Sequence, residues 1–181
     1  MTVASSWESY VPEFCVASPE MTADRVALVK SSWERIFAEG DREAQLQSFA
    51  ESFYGKLFEL APAVRPLFKA DIRGQASKLG LLLSTAVRIL DEDVDGLVAT
   101  LQALARRHHN YGVRPEHYCA VGLALVGALQ TELGEKFEGE VQTSWVHLYS
   151  TIVSVMLPIT VSMIDEEQKA KIVNEAVPVD T

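Results

Sequence analysis

Apolar residues recur every three or four positions along most of the chain, which is the spacing of helices with one buried face. No segment shows the strict alternation of apolar and polar residues that favours a strand. The pattern therefore predicts an all-α protein of about seven helices. We expect these helices at residues 22–38, 41–60, 62–68, 75–90, 97–111, 114–133 and 138–164.

Cap residues support two of these boundaries and separate a domain from its flanks. Thr22 and Asp41 are good N-caps, because their side-chain oxygens can accept hydrogen bonds from free backbone N–H groups. Residues 22–164 form the predicted domain. We interpret 1–21 as an N-terminal extension that docks on the domain or on a partner, and 165–181 as a frayed C-terminal tail.

Two adjacent histidines lie near the end of the fifth predicted helix, and only one of them can face the interior. His108 shares a face with apolar residues, whereas His109 falls on the side of Gln102 and Arg106 and is expected to point to water. A buried imidazole needs a partner. His108 is therefore either a core histidine bonded to a backbone carbonyl or a metal ligand. The apolar residues on its face are Leu97, Leu101, Leu104 and Tyr111.

Composition and charge narrow the class of protein. The 181 residues are 48% apolar and 23% charged, which is typical of one globular domain. The net charge of −9 argues against nucleic-acid binding, which needs clustered basic residues. The N-terminus lacks the features of a secretory signal, and the longest apolar run, at 152–164, is interrupted and too short to span a bilayer. We therefore expect a cytoplasmic protein with no membrane partner.

The two cysteines are too few and too far apart in sequence to indicate a disulfide framework, which suits a reducing compartment. Cys119 is expected to be a small buried residue. We assign no role to Cys15.

Three stretches of the chain follow one another in the order of a known family. FYGKLFELAPAVRPLF joins a helix to a proline-bearing turn and a phenylalanine, ARRHHNYGVRPEHYCAVG contains the histidine pair, and EVQTSW begins the final helix. With these motifs the region 22–164 resembles a globin. It is most similar to bacterial single-domain haemoglobins and to the globin domain of flavohaemoglobins. The resemblance implies a globin fold packed around haem b, which is iron protoporphyrin IX.

The resemblance also implies roles for individual residues. His108 would be the proximal ligand of the iron, in agreement with its helix phase. Tyr54 and Gln75 would form a distal polar pair that donates hydrogen bonds to bound O2. Glu140, steadied by Tyr118, would accept the second N–H of the proximal histidine and make it more electron-donating. The apolar contacts to the haem would come from Phe68 and Leu79.

One departure from the family pattern lies in the loop before the predicted helix of Gln75. The loop between Phe68 and Gln75 is shorter than in those bacterial relatives. The first turn of the following helix, which carries Gln75, can therefore be displaced.

Haem iron held by one histidine keeps its sixth position free, so the resemblance implies reversible binding of O2, CO and NO. One expectation is an enzyme that detoxifies NO as a dioxygenase, or a peroxidase-like globin. A second is an oxygen carrier or store, and a third is an O2 or redox sensor that signals through its terminal extensions. The sequence contains no GxGxxG motif, so any reductase is expected to be a separate protein. Whether the chain forms a homodimer stays open.

Overall fold

A computed structural model describes residues 6–68, 72–90 and 92–175. Within these residues the chain forms six α-helices and three short 3-10 helices and no strand, which confirms the predicted all-α class. The α-helices are α1 (Ala23–Ile36), α2 (Arg42–Leu60), α3 (Ile72–Ile89), α4 (Val94–Asn110), α5 (His117–Leu133) and α6 (Glu140–Glu175). The 3-10 helices are Trp7–Tyr10, Pro62–Leu67 and Gly134–Lys136.

Side chains cap the N-termini of three helices. Thr22 Oγ1 accepts a backbone N–H at 3.4 Å ahead of α1, and Asp41 Oδ1 accepts one at 2.9 Å ahead of α2. Asp93 does the same for α4, at 2.8 Å. Each cap satisfies a backbone donor that the helix itself cannot pair.

The start of α3 differs from the prediction. The helix begins at Ile72, inside the stretch 69–74 that the sequence predicts as a polar loop. Residues 69–71 of that loop lie outside the described part of the chain. The connection from the 3-10 helix to α3 is therefore shorter than expected.

Large aromatic side chains join α1, α2 and α6 in the core. Trp33 packs edge-to-face on Phe49 with ring centroids 5.1 Å apart, and its ring lies 6.0 Å from that of Trp145. The indole N–H of Trp145 donates to Ser32 Oγ at 2.9 Å, so this buried polar group is satisfied. The first and last α-helices of the fold are thereby held together by both packing and a buried hydrogen bond.

The segment before α1 docks on the domain. The ring of Phe14 stacks on Tyr149 of α6 with centroids 5.8 Å apart, and the N–H of Val16 donates to Ser150 Oγ at 2.9 Å. Phe14 also fills the space beside Gly122 of α5, where an added Cβ would lie only 2.4 Å from its ring. Of the two alternatives for the N-terminal extension, docking on the domain is the one that its described residues adopt.

α6 is longer than predicted. It runs for 36 residues to Glu175, so the interpretation of the chain after 164 as a frayed tail is wrong for the described residues. Residues 176–181 lie outside them. By length and composition alone α6 could cross a membrane, with a mean hydropathy of 1.5 in its most apolar window. In the fold it is a core helix that buries Val153 and Leu157.

Candidate functional site

The α-helices from α2 to α6 enclose a cavity of about 220 Å³. A single water molecule needs only about 10–15 Å³ by the same kind of measure, so the cavity is large enough for a sizeable ligand. Its walls are almost entirely apolar. Each helix contributes, through Phe53 (α2), Leu79 (α3), Leu101 (α4), Leu125 (α5) and Met156 (α6).

His108 is one of the few polar groups on these walls. Its Nδ1 lies 3.0 Å from the carbonyl oxygen of Leu104, one turn earlier in α4, so Nδ1–H donates to that carbonyl. Burial lowers the pKa of His108, which keeps the ring neutral near pH 7. Nε2 then carries a lone pair with no partner among the described residues. The two alternatives for His108 are thus compatible, because one nitrogen bonds a backbone carbonyl and the other is available to a metal.

Tyr54 reaches the same cavity from α2. The side chain is buried, and burial raises the pKa of its hydroxyl to about 12, so the group stays protonated. Its ring packs against Phe58 and Phe68, with centroid distances of 6.0 and 5.3 Å. The hydroxyl has no hydrogen-bond partner in the described part of the chain. It is therefore a positioned donor for a molecule inside the cavity.

Of the other residues that the resemblance assigns to the haem pocket, Phe68 and Leu79 line the cavity and Gln75 does not. Gln75 is half-buried on the first turn of α3. The apolar residues that follow it on the same stripe do line the cavity: Leu79, Leu82, Ala86 and Ile89. Gln75 lies one turn before them, beyond the cavity's edge, so the structure does not place it opposite His108.

The relay in which Glu140, steadied by Tyr118, accepts the second N–H of His108 is also not formed as predicted. Glu140 is exposed on the first turn of α6 and is not among the described cavity residues. Thr160 Oγ1 donates to the carbonyl of Met156 at 3.2 Å and so accepts the hydroxyl of Tyr118, at 2.8 Å. The assignment of Glu140 is therefore wrong. The part of α6 that meets Tyr118 is its middle, and the start of that long helix lies elsewhere.

Three further expectations are corrected. His109 does not point to water: its side chain is 3% exposed, with Nε2 bonded to Glu167 Oε1 at 2.8 Å. The helix phase that separates the two histidines is correct, but the far side of α4 is covered by the end of α6. Tyr111, expected on the buried face, is exposed where α4 ends, and Cys119 is exposed on α5.

His117 is a cavity residue that sequence reasoning missed. It lies on the first turn of α5, and its Nδ1 accepts the backbone N–H of Arg114 at 3.1 Å. This bond fixes the tautomer, so the neutral ring carries its proton on Nε2. Burial lowers the pKa of His117, as it does for His108. Neither lysine nor arginine is found among the described residues of the lining, so His117 is its other basic group.

The described residues fit a largely apolar group that bears one metal ion. The walls supply apolar contact, and His108 supplies a single neutral nitrogen. The described part of the chain has no cluster of three or more histidine, cysteine, aspartate or glutamate side chains that could hold a bare ion. Fold and cavity together define a class of protein, an all-helical domain whose apolar cavity presents one neutral imidazole nitrogen to a ligand.

Comparison with known proteins identifies the family. A family model described as Globin matches residues 51–156, more than half of the sequence. The chain belongs to the globin family. The predicted globin fold is thereby confirmed, as is the similarity to flavohaemoglobin globin domains.

Individual relatives are consistent with the globin family, although their sequence identity to this chain is low. The chain is 29% identical over 117 residues to a neuroglobin of Tetraodon nigroviridis, covering 57% of this chain and 73% of that protein. It is 27% identical over 143 residues to a flavohemoprotein of Xylella fastidiosa, covering 77% of this chain but only 34% of that protein. An engineered carbene transferase from Rhodothermus marinus superimposes with a TM-score of 0.69 at 20% identity. That likeness covers 82% of this chain and 99% of the other, and it shows the fold alone.

Proposed function

We propose that this globin binds haem b through His108 and binds O2, CO and NO in the cavity of Tyr54. The observation that carries the proposal is the state of His108, whose Nδ1 is engaged by Leu104 while its neutral Nε2 belongs to a side chain that lines the cavity. Haem held by His108 would supply an iron that can bind a diatomic gas.

The cavity residues would then act on the gas and on the haem edge. Tyr54 donates a hydrogen bond to a partly negative diatomic ligand such as O2, and the apolar walls exclude water that would compete for this bond. Phe68 and Leu79 supply apolar contact to the porphyrin. The Nε2–H of His117 is a donor for a carboxylate on the haem periphery, where the apolar wall offers little else.

The protein is also proposed to act as an NO dioxygenase. In that reaction NO, O2 and one electron give nitrate, so a reductant has to supply one electron in each turnover. We propose that a separate reductase supplies this electron. The similarity to flavohemoproteins supports a reductase as the source of this electron; the chain spans about a third of the length of those relatives.

Two measurements test the proposal. Protein reconstituted with haemin should give a sharp Soret band that is lost or strongly shifted in His108→Ala; an unchanged band in that variant would remove His108 as the ligand. Stopped-flow mixing of the oxygenated ferrous protein with NO should give rapid, stoichiometric nitrate. Slow NO consumption with intact O2 binding would leave oxygen carriage or storage as the function.

A further inference from the structure

The end of α6 contacts the helix of His108 through an ion pair. Glu167 Oε1 accepts from Nε2 of His109 at 2.8 Å, and its other oxygen lies 4.0 Å from Arg114 Nη1. The two partners differ in burial, since the side chain of His109 is 3% exposed and that of Glu167 is 50% exposed. A buried ring on α4 thus donates its hydrogen bond to an accessible carboxylate 58 residues later.

His109 depends on this one partner. Its Nδ1 is buried and has no hydrogen-bond partner within the described residues. Without Glu167 neither ring nitrogen would be paired, and a buried imidazole in that state is unfavourable enough to drive the ring toward water. The hydrogen bond from His109, and to a lesser extent the charge of Arg114, lower the pKa of this carboxyl, so it is ionised near pH 7.

His109 also shares its helical turn with the proposed metal ligand. His108 precedes it directly, and the carbonyl that holds the ring of His108 belongs to Leu104, one turn earlier in α4. A displacement of His109 therefore moves the backbone from which His108 projects. Closely packed helices transmit such shifts because few voids absorb them.

We propose that Glu167 is a positioning residue, which holds the last turn of α4 through His109 and thereby sets the orientation of His108 in the cavity. This inference rests on the proposed role of His108 as the haem ligand. It gives the chain beyond 164 a function, since whatever moves that segment alters the proximal ligand.

The test uses the haem-loaded full chain. In Glu167→Ala, the iron–histidine stretching band recorded directly after photolysis of the CO complex should shift and broaden. Loss of haemin to an acceptor apoprotein should become about tenfold faster, at the lower end of what outer partners of a metal ligand contribute. Glu167→Gln keeps an acceptor for Nε2–H, so it should restore most of the wild-type band.

Two controls separate positioning from general loosening of α6. Glu166→Ala removes the neighbouring carboxylate, whose one hydrogen bond among the described residues is from Ser162 Oγ at 3.3 Å, and should leave the band unchanged. In a His109→Leu background, Glu167→Ala should produce no further shift, because there is no ring left to hold. A wild-type band in Glu167→Ala, the same shift in Glu166→Ala, or a full shift in the His109→Leu background would each overturn the inference. If wild-type protein takes up no haem, the proposed function fails instead.

Discussion

Replacing Tyr54 with phenylalanine should speed the release of O2 from the haem-loaded ferrous protein. The hydroxyl lies in an apolar cavity, has no partner among the described residues and is held by two aromatic rings, so it breaks no existing bond when it donates. A hydrogen bond to a charged or strongly polar acceptor contributes about 1.5–3 kcal/mol. Its loss should raise the O2 dissociation rate by about ten- to a hundredfold.

The assay is stopped-flow displacement of O2 by excess CO, and Tyr118→Phe is the matched control. Tyr118 is also a buried tyrosine of the cavity, but its proton is already committed to Thr160, so this variant should release O2 at nearly the wild-type rate. CO carries less charge than O2, and its dissociation should change less in Tyr54→Phe. An unchanged O2 off-rate in Tyr54→Phe, or an equal rise in both variants, would refute the reasoning.

The same assay has a predictable pH dependence. Burial raises the pKa of Tyr54 to about 12, so the donor is present at and below neutral pH and is lost only as the pH rises through that value. The ratio of off-rates between Tyr54→Phe and wild type should therefore stay constant up to about pH 10 and fall only above it. A ratio that falls near neutral pH would show that another group supplies the hydrogen bond.

Three further predictions concern the rest of the molecule. His117→Leu should speed haemin loss by about three- to tenfold, but should have no effect with haemin dimethyl ester, whose carboxylates are blocked; an equal effect with both haemins would mean that His117 acts by packing. Glu140→Gln should leave the iron–histidine stretching frequency unchanged, and a downward shift would reinstate the relay that the structure lacks. Ser32→Ala removes the acceptor of the buried Trp145 N–H and should lower the free energy of unfolding by about 1–3 kcal/mol in urea, whereas the exposed Ser31→Ala should not.

Local pattern predicted most of the helices and the inward face of α4, because both depend on neighbours within a few turns. Thr22 and Asp41 cap helices where the sequence places them. The phase of Leu97 and Leu101 predicts the side on which His108 lies, and both leucines are buried. These features need no knowledge of distant residues, so one sequence suffices.

The sequence-based predictions are wrong where segments that are far apart in sequence contact each other. His109 faces away from the cavity, as its helix phase predicts, but Glu167, 58 residues later, covers it. The local sequence around Glu167, which we interpret as part of a tail, does not indicate this contact. Tyr118 pairs with Thr160, which stands in the sequence only as a polar interruption of an apolar run. A hydroxyl in that run was the available signal, since a buried polar side chain requires a partner.

The hydrogen bond from His108 to Leu104 ends on a peptide oxygen, and this has a consequence for mutation. Every amino acid carries that oxygen, so no exchange of side chain at position 104 can delete the acceptor or give it a full negative charge. The acceptor of Nδ1–H is in that sense insulated from any exchange of side chain at position 104. Variation among descendants of this chain, or in a directed-evolution campaign, should therefore act on this imidazole through its orientation, as we propose for Glu167, and not through loss of its acceptor.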